Sequence, residues 1–248
     1  MKRNWNLTDD QIKRDVEIME KLKAFDTPTI TNVVATYPRD ENCLGLYNPW
    51  YGNWYTDSTL KCMFPELGRL CGYVVTATYG LPDPNYSHGS NVGDVFDAIK
   101  ESPQPVILCV KQDMPEEIKQ KNGLLGGNMM TSFKRAGMIG AISDGPSRDV
   151  DEVRLLGVQY MLTGVTAGHG DFSLQAINDT VDICGMRVGP GDVIHMDENG
   201  AVKFPREYLE DVLVRAQALH DAEEAAMKKL AQAKTGKEID DIMKNKYK

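Results

Sequence analysis

From Gly126 to Glu152 the chain reads GGNMMTSFKRAGMIGAISDGPSRDVDE, and near its end Arg148 and Asp149 stand side by side just past a turn. A guanidinium grips a carboxylate in a two-pronged fork, and an aspartate offers oxygen to a hard divalent cation. The pair Gly126-Gly127 lets backbone N–H groups at a helix start come close to an anion. One segment therefore holds parts of a site for an anion and a metal ion. Flanking elements must position them. Met129, Met130, Phe133 and Ala136 recur at helical spacing and stop at Gly137, a C-cap residue. Met138 to Ile142 reads as a buried strand running into the turn Ser143-Asp144-Gly145-Pro146, and a short helix follows from Asp149.

A second group lies in Gly168-His169-Gly170-Asp171-Phe172. A glycine-flanked His–Asp pair on a loop suits general acid/base work or a second metal contact; an ordinary polar turn is the alternative. His88, within PDPNYSHGSN, is a candidate of the same kind, whereas His195 has the strand context of a structural residue and His220 lies on a long helix, where solvation is expected. Gly164 to Gly170 is no phosphate loop, since no Gly-Lys-Ser/Thr follows, and Asp144-Gly145-Pro146-Ser147 lacks the Gly-x-Ser-x-Gly of a serine nucleophile.

The 248 residues carry a formal net charge of −8, with 42% hydrophobic and 26% charged side chains. That balance is globular, and the acidity disfavours a nucleic-acid partner. No run approaches the ~18 apolar residues of a membrane helix, and MKRNWNLTDDQ lacks an apolar signal core, so a cytoplasmic protein is expected. Cys43, Cys62, Cys71, Cys109 and Cys184 form no CxxC pair and read as free thiols.

Along the chain, Thr8-Asp9-Asp10-Gln11 has capping-box spacing ahead of a helix, and a second short helix is expected over Ile30 to Thr36. Residues 38 to 70 are irregular; Tyr47, Trp50, Tyr51, Trp54 and Tyr55 crowd among Asn, Gly and Pro, as in a lid, a binding loop, an interface or a self-packed loop. Strands are expected over Gly72 to Tyr79, Pro105 to Val110 and Val158 to Leu162, with a helix over Val92 to Lys100. Short strands at Thr180 to Cys184, Met186 to Val188, Asp192 to His195 and Ala201 to Phe204 suggest an antiparallel section beside a βα section. Pro205 to Ala233 reads as one long helix whose apolar stripe includes Glu223, a rim or paired carboxylate or one delivered to a neighbouring site. The expectation is one α/β domain over residues 1–204 and a helical C-terminal extension over 205–248.

Gly126…Thr131…Gly137, the strand into Asp144-Gly145, and Arg148-Asp149 with Glu152 three residues on resemble the family that joins the regulator of ribonuclease activity A (RraA) to the 4-hydroxy-4-methyl-2-oxoglutarate aldolases. Val181 to Val188, Pro190-Gly191-Asp192 and Asp197-Glu198-Asn199-Gly200 match its closing strands, and TPTITNVV and GYVVTATY match its opening pattern more weakly. The resemblance implies a swivelling β/β/α fold and a trimer or hexamer with active sites at subunit interfaces. It implies Mg²⁺ or Mn²⁺ and a pyruvate-like enolate. Arg148 would grip the substrate carboxylate, Asp149 would ligate the metal, and the backbone of Gly126, Gly127, Asn128 and Met129 would support the pyruvoyl oxygens. A glutamate from the C-terminal helix of a neighbouring subunit, Glu223 or Glu224, would help hold the metal's waters. The family commonly has Glu or Asp after the first glycine; Gly127 stands there instead. Either the acid/base role has moved, with His169 and Asp171 as candidates, or the protein is no aldolase of the usual kind.

Three functions compete. One is a metal-dependent lyase on a 2-oxo acid, an aldolase or oxaloacetate-type decarboxylase, that stabilises a growing oxyanion. Another is a non-catalytic regulator that binds a protein partner. The third is a different lyase or isomerase on a sugar-acid-like substrate.

Overall fold

The computed structural model describes residues 7–37, 42–83 and 91–246. Helix α1 (Asp9–Leu22) starts where Thr8 and Gln11 cap each other reciprocally, the arrangement their spacing predicts. Helix α2 (Thr27–Val34) begins three residues earlier than expected, because the Asp26 carboxylate caps the Thr29 N–H at 2.9 Å and Pro28 sits in the first turn. After the irregular segment come β1 (Lys61–Cys62), β2 (Leu70–Gly80), α3 (Val92–Glu101), β3 (Val106–Asp113) and the single turn α4 (Glu116–Lys119). Then follow α5 (Gly127–Ala136), β4 (Met138–Ser143), α6 (Val150–Leu156), β5 (Gln159–Leu162) and β6 (Ser173–Ile177). The hairpins β7 (Val181–Ile183) with β8 (Met186–Val188) and β9 (Asp192–Asp197) with β10 (Gly200–Pro205) precede α7 (Leu209–Leu230) and α8 (Gly236–Lys244).

Strands β2 to β5 are parallel neighbours in sequence order, and β1 closes their far edge antiparallel to β5. On its other side the long β2 pairs with β9 over its first half and with β6 over its second. The antiparallel section is therefore continuous with the parallel one. Side-chain alternation sets the layers. Val106, Leu108 and Val110 of β3 pack with Met130 and Phe133 of α5, whereas Ile107 and Cys109 pack with Val181 and Ile183 of the β7–β8 hairpin. Helices thus cover one face of the main sheet and a small hairpin the other, which is a β/β/α arrangement. A third apolar cluster joins α1, α2 and α7 to β9, β10 and the start of β2.

Polar ties fix that third cluster. The buried Asp15 of α1 accepts from the Tyr73 hydroxyl at 2.6 Å and from both Nε and Nη2 of Arg206, which leads into α7. Replacing Asp15 with Asn keeps the volume but removes the charge that both donors meet. It is expected to lower stability by about 2 kcal/mol, a fall of roughly 4–8 °C in melting temperature.

His195 is fully buried, takes the Thr27 hydroxyl at Nδ1 and meets the Leu22 carbonyl at Nε2. Burial lowers its pKa from 6.5 to about 4. Below about pH 6.5 the unfolded chain therefore binds a proton that the folded chain refuses until about pH 4. The unfolded state binds more protons in that window, so stability falls as pH falls. The expected loss is about 2 kcal/mol between pH 7 and pH 5, read from urea midpoints. The part due to this residue should vanish in His195→Gln.

The aromatic loop divides. Trp54 is buried and stacks on Tyr47 at 5.2 Å, while Trp50 and Tyr51 stand out into solvent. All five cysteines are free. Among the described residues no helix is long and apolar enough to cross a membrane.

Candidate functional site

Helix α5 opens on two glycines that cannot cap it with a side chain. The cap comes from across the site: the Gly127 N–H donates to Asp149 Oδ2 at 2.9 Å. Asp149 is itself the N-cap position of α6 and sits at φ +59°, in the left-handed region. A non-glycine residue held there stores strain, the kind that gathers at functional positions. The starts of α5 and α6 thus converge, and both place N–H groups and the positive end of a helix dipole toward one spot.

The glycines are required by their neighbours. A Cβ on Gly126 would lie 2.7 Å from Asp149 Oδ2 and 3.1 Å from Arg148 Nε. A Cβ on Gly127 would run into the Glu152 carboxylate. Glu152, in the first turn of α6, therefore has its carboxylate against the residue where the resemblance leads one to expect an acid. Asp149 and Glu152 both meet Gly127, one through its N–H and the other over its Cα.

Arg148 supplies the opposite charge. Its Nε stands 3.6 Å from Asp149 Oδ2, an ion pair too long for a hydrogen bond. That Nε is shut away from solvent and has no hydrogen-bond partner. A buried guanidinium N–H without an acceptor is costly.

Buried bonds lock the two halves together. Ser147 Oγ accepts from the Leu125 N–H and donates to the Leu125 carbonyl, both at 2.8 Å. The Tyr160 hydroxyl from β5 donates to the Leu125 carbonyl and approaches the Arg148 carbonyl at 3.3 Å. Burial pushes the Tyr160 phenol up, so it stays a donor. Neither Ser147 nor Tyr160 carries a sequence signal of this role; the β4–β5 pairing places Tyr160, and a bridge to Val165 places Ser147.

The His–Asp loop is anchored beside the same place. Ser147 N donates to the Gly164 carbonyl, Thr166 N to the Ser147 carbonyl, and Gly123 N to the Gly168 carbonyl at 2.8 Å. A Cβ on Gly123 would sit 3.1 Å from that Gly168 oxygen and 3.2 Å from Arg148 Cβ. The loop backbone therefore flanks Arg148. Its side chains face outward: His169 bonds the Gly170 carbonyl and leans on Phe172, and Asp171 is exposed. His88 lies outside the described residues. His220 is exposed, against Phe25.

Glu223 and Glu224 are not brought to this site within one chain. Helix α7 packs chiefly on α1, α2 and α8. Glu223, half-buried, pairs with Lys246 at 2.6 Å. Glu224 is exposed, and its bond to Lys228 holds its carboxyl below the usual range. Among the described residues, no three His, Cys, Asp or Glu side chains gather closely enough to hold a metal ion by themselves. Two carboxylates facing one glycine still fit a hard cation such as Mg²⁺, which takes one or two protein carboxylates and keeps several waters.

Comparison with known proteins places this geometry. A family model described as RraA-like, Aldolase/RraA, matches residues 50–203. An uncharacterized protein of Methanocaldococcus jannaschii is 27% identical over 128 residues, 51% of this chain and 60% of that protein. Protein DlpA of Legionella pneumophila is 27% identical over 112 residues, 44% of this chain and 18% of its own length. The matched region thus spans less than two thirds of either relative. Among solved structures, an uncharacterized protein from Pseudomonas syringae has a TM-score of 0.68 at 17% identity, covering 92% of this chain and 93% of the other. Streptomyces coelicolor RraAS2, described as an unusual member of the RNase ES inhibitor RraA protein family, has a TM-score of 0.61 at 22% identity, covering 85% and 96%. At such identities these structures speak for the fold alone. The family model spans more than half the chain and takes in the glycine pair, Arg148-Asp149 and the closing strands, and the chain belongs to the RraA-like family.

Proposed function

We propose that the protein is a divalent-metal-dependent lyase acting on a 2-oxo acid, cleaving or decarboxylating it to leave the enolate of pyruvate or a close relative. The observation that carries this reading is the buried, partnerless Nε of Arg148 beside two carboxylates that both meet Gly127. Arg148 binds the substrate carboxylate and so fixes which end of the molecule enters. The N–H groups of Asn128 and Met129, which lack intrahelical acceptors at the start of α5, orient the pyruvoyl oxygens. Asp149 and Glu152 would hold Mg²⁺ or Mn²⁺, which would supply positive charge to the enolate as it forms.

As the C–C bond breaks, its electron pair stays on the three-carbon fragment as an enolate. Arg148 and the backbone donors hold that growing charge in place. Glu152 also exchanges a proton with an adjacent water, the work that an acid at position 127 would otherwise do. That water takes the proton from the hydroxyl of the departing fragment and returns one to the enolate carbon as pyruvate forms. A homo-oligomer, trimer or hexamer, completes the site with a glutamate from the neighbouring α7. Glu224 suits that role better than Glu223, because its pair with Lys228 stands exposed on the helix surface while Glu223 is half-buried against Lys246.

The alternative is a non-catalytic regulator, as one branch of the family implies; the missing acid at Gly127 favours it slightly, and a carboxylate against that residue weakens that one argument. The deciding experiment is pyruvate release from 4-hydroxy-2-oxo acids and oxaloacetate, with Mg²⁺ or Mn²⁺ and with excess chelator. Metal-dependent release bears the reading out. No release from any such substrate, or release unchanged by chelator, sinks it.

A further inference from the structure

A cavity of about 710 Å³ opens at the same end of the parallel strands but on the opposite face of the sheet. Lys111 continues the parity of Ile107 and Cys109, which face the β7–β8 hairpin, so it points away from the α5 side. Lys119 of α4 and Lys61 of β1 line the cavity with it. At its floor, Asp144 is nearly buried and takes Lys111 Nζ at 2.6 Å, the Gln112 N–H at 2.7 Å and Lys119 Nζ at 3.7 Å.

Charge and donors are unusual here for a chain of net charge −8. Glu116 stands at the rim, largely exposed, and pairs with Lys119 at 3.0 Å, and Asp182 is taken by a two-pronged bond to Arg187 from outside the lining. The lining itself holds three lysines and three carboxylates, and one of those carboxylates, Asp182, is met from outside by Arg187. Asp144 is shared by two ammoniums, and Lys61 bonds only the Ser58 carbonyl among the contacts described. The Cys184 thiol is pushed up to about 11 by burial and so adds no negative charge at neutral pH. On the cavity wall the Thr163 hydroxyl is shut from solvent and has no hydrogen-bond partner. The wall is preformed, since the Asp57 N–H bonds the Cys184 carbonyl at 2.7 Å and the Asp57 carboxylate ties down Thr59.

We propose that this cavity binds a small polyvalent oxyanion, a phosphate or dicarboxylate group held by Lys61, Lys111 and Lys119 with the Thr163 hydroxyl as a further donor. Ammoniums act as point charges on such ligands, and the volume is that of a small-molecule pocket, roughly 300–1,000 Å³. The site is separate from the Arg148 site and does not depend on the lyase reading. The two share a turn, because the Gln112 side chain bonds Ser143 and the Pro146 carbonyl, two residues ahead of Arg148.

The test is thermal denaturation of the full chain, titrated with inorganic phosphate or malonate against sodium chloride at matched ionic strength. Lys61→Met and Thr163→Val are the useful variants, since Lys111→Met would strand the buried Asp144. A ligand that binds only the folded state raises the midpoint with concentration. The midpoint should rise in the wild type and still rise in Arg148→Met, where binding at Arg148 is removed, and in that background apparent affinity should fall at least about tenfold with either cavity variant added. Stronger response to phosphate assigns a phosphorylated ligand, and stronger response to malonate a dicarboxylate. No response beyond chloride, a response lost in Arg148→Met, or one unchanged in both cavity variants overturns the proposal.

Discussion

Replacing Arg148 with methionine is expected to lower kcat/KM for pyruvate release by about 10³-fold, with the melting temperature nearly unchanged. Methionine keeps most of the buried length and removes the donor whose Nε finds no acceptor inside the chain. The fold loses no hydrogen bond at that atom, so the whole penalty should fall on the bound state. Asp149 is different because it has two jobs. Its Oδ2 caps α5 through Gly127, and it offers the charge for a metal ion. Asp149→Ala removes both and should abolish turnover while also loosening the glycine loop. Asp149→Asn keeps an oxygen for the cap and loses only the charge. Similar loss of turnover in both, with the melting temperature lowered only in the alanine variant, separates the roles. Near-normal rates in Arg148→Met or Asp149→Asn would refute the assignment of this site.

Much of that site is legible in the sequence because its parts are local. Gly126, Gly127, Arg148 and Asp149 lie in one helix–strand–turn unit, and turn and cap chemistry is written in short runs. The strand over Met138 to Ile142, the cap at Gly137 and the start of α6 at Asp149 are found as expected. What is missed depends on pairing between distant segments. Strand β6, SLQAI, has no β-branched run to mark it, and it pairs with the free side of β2. The single turn α4 and the C-terminal α8 are missed too, the first too short for a periodic signal. In the sequence Tyr160 is one residue of an expected strand and Ser147 one residue past a turn, and only folding brings both to the Leu125 backbone. Glu152 is visible as a motif member, but its contact with Gly127 arises from the angle at which two helix starts meet.

That contact yields the most discriminating expectation. Glu152→Gln removes the charge and most of the proton affinity but keeps the size, and it should lower kcat by about 10²–10³-fold. On the helix itself an exposed first-turn glutamate contributes only about 0.3–1 kcal/mol through the dipole, so the folded chain should survive the change. A second substitution then tests position. Gly127 begins α5 with no positive φ, so an aspartate is conformationally allowed there and favourable for a helix start. What excludes it is the Glu152 carboxylate. Gly127→Asp alone should therefore crowd the site and lower activity. Combined with Glu152→Ala, it should restore activity at least tenfold above Glu152→Ala alone, because one carboxylate replaces the other in nearly the same space. The coupling energy from this double-mutant cycle should be favourable and large compared with the few tenths of a kcal/mol of non-interacting sites. Simple additivity of the two losses would show that the glutamate caps α6 and does nothing for the reaction.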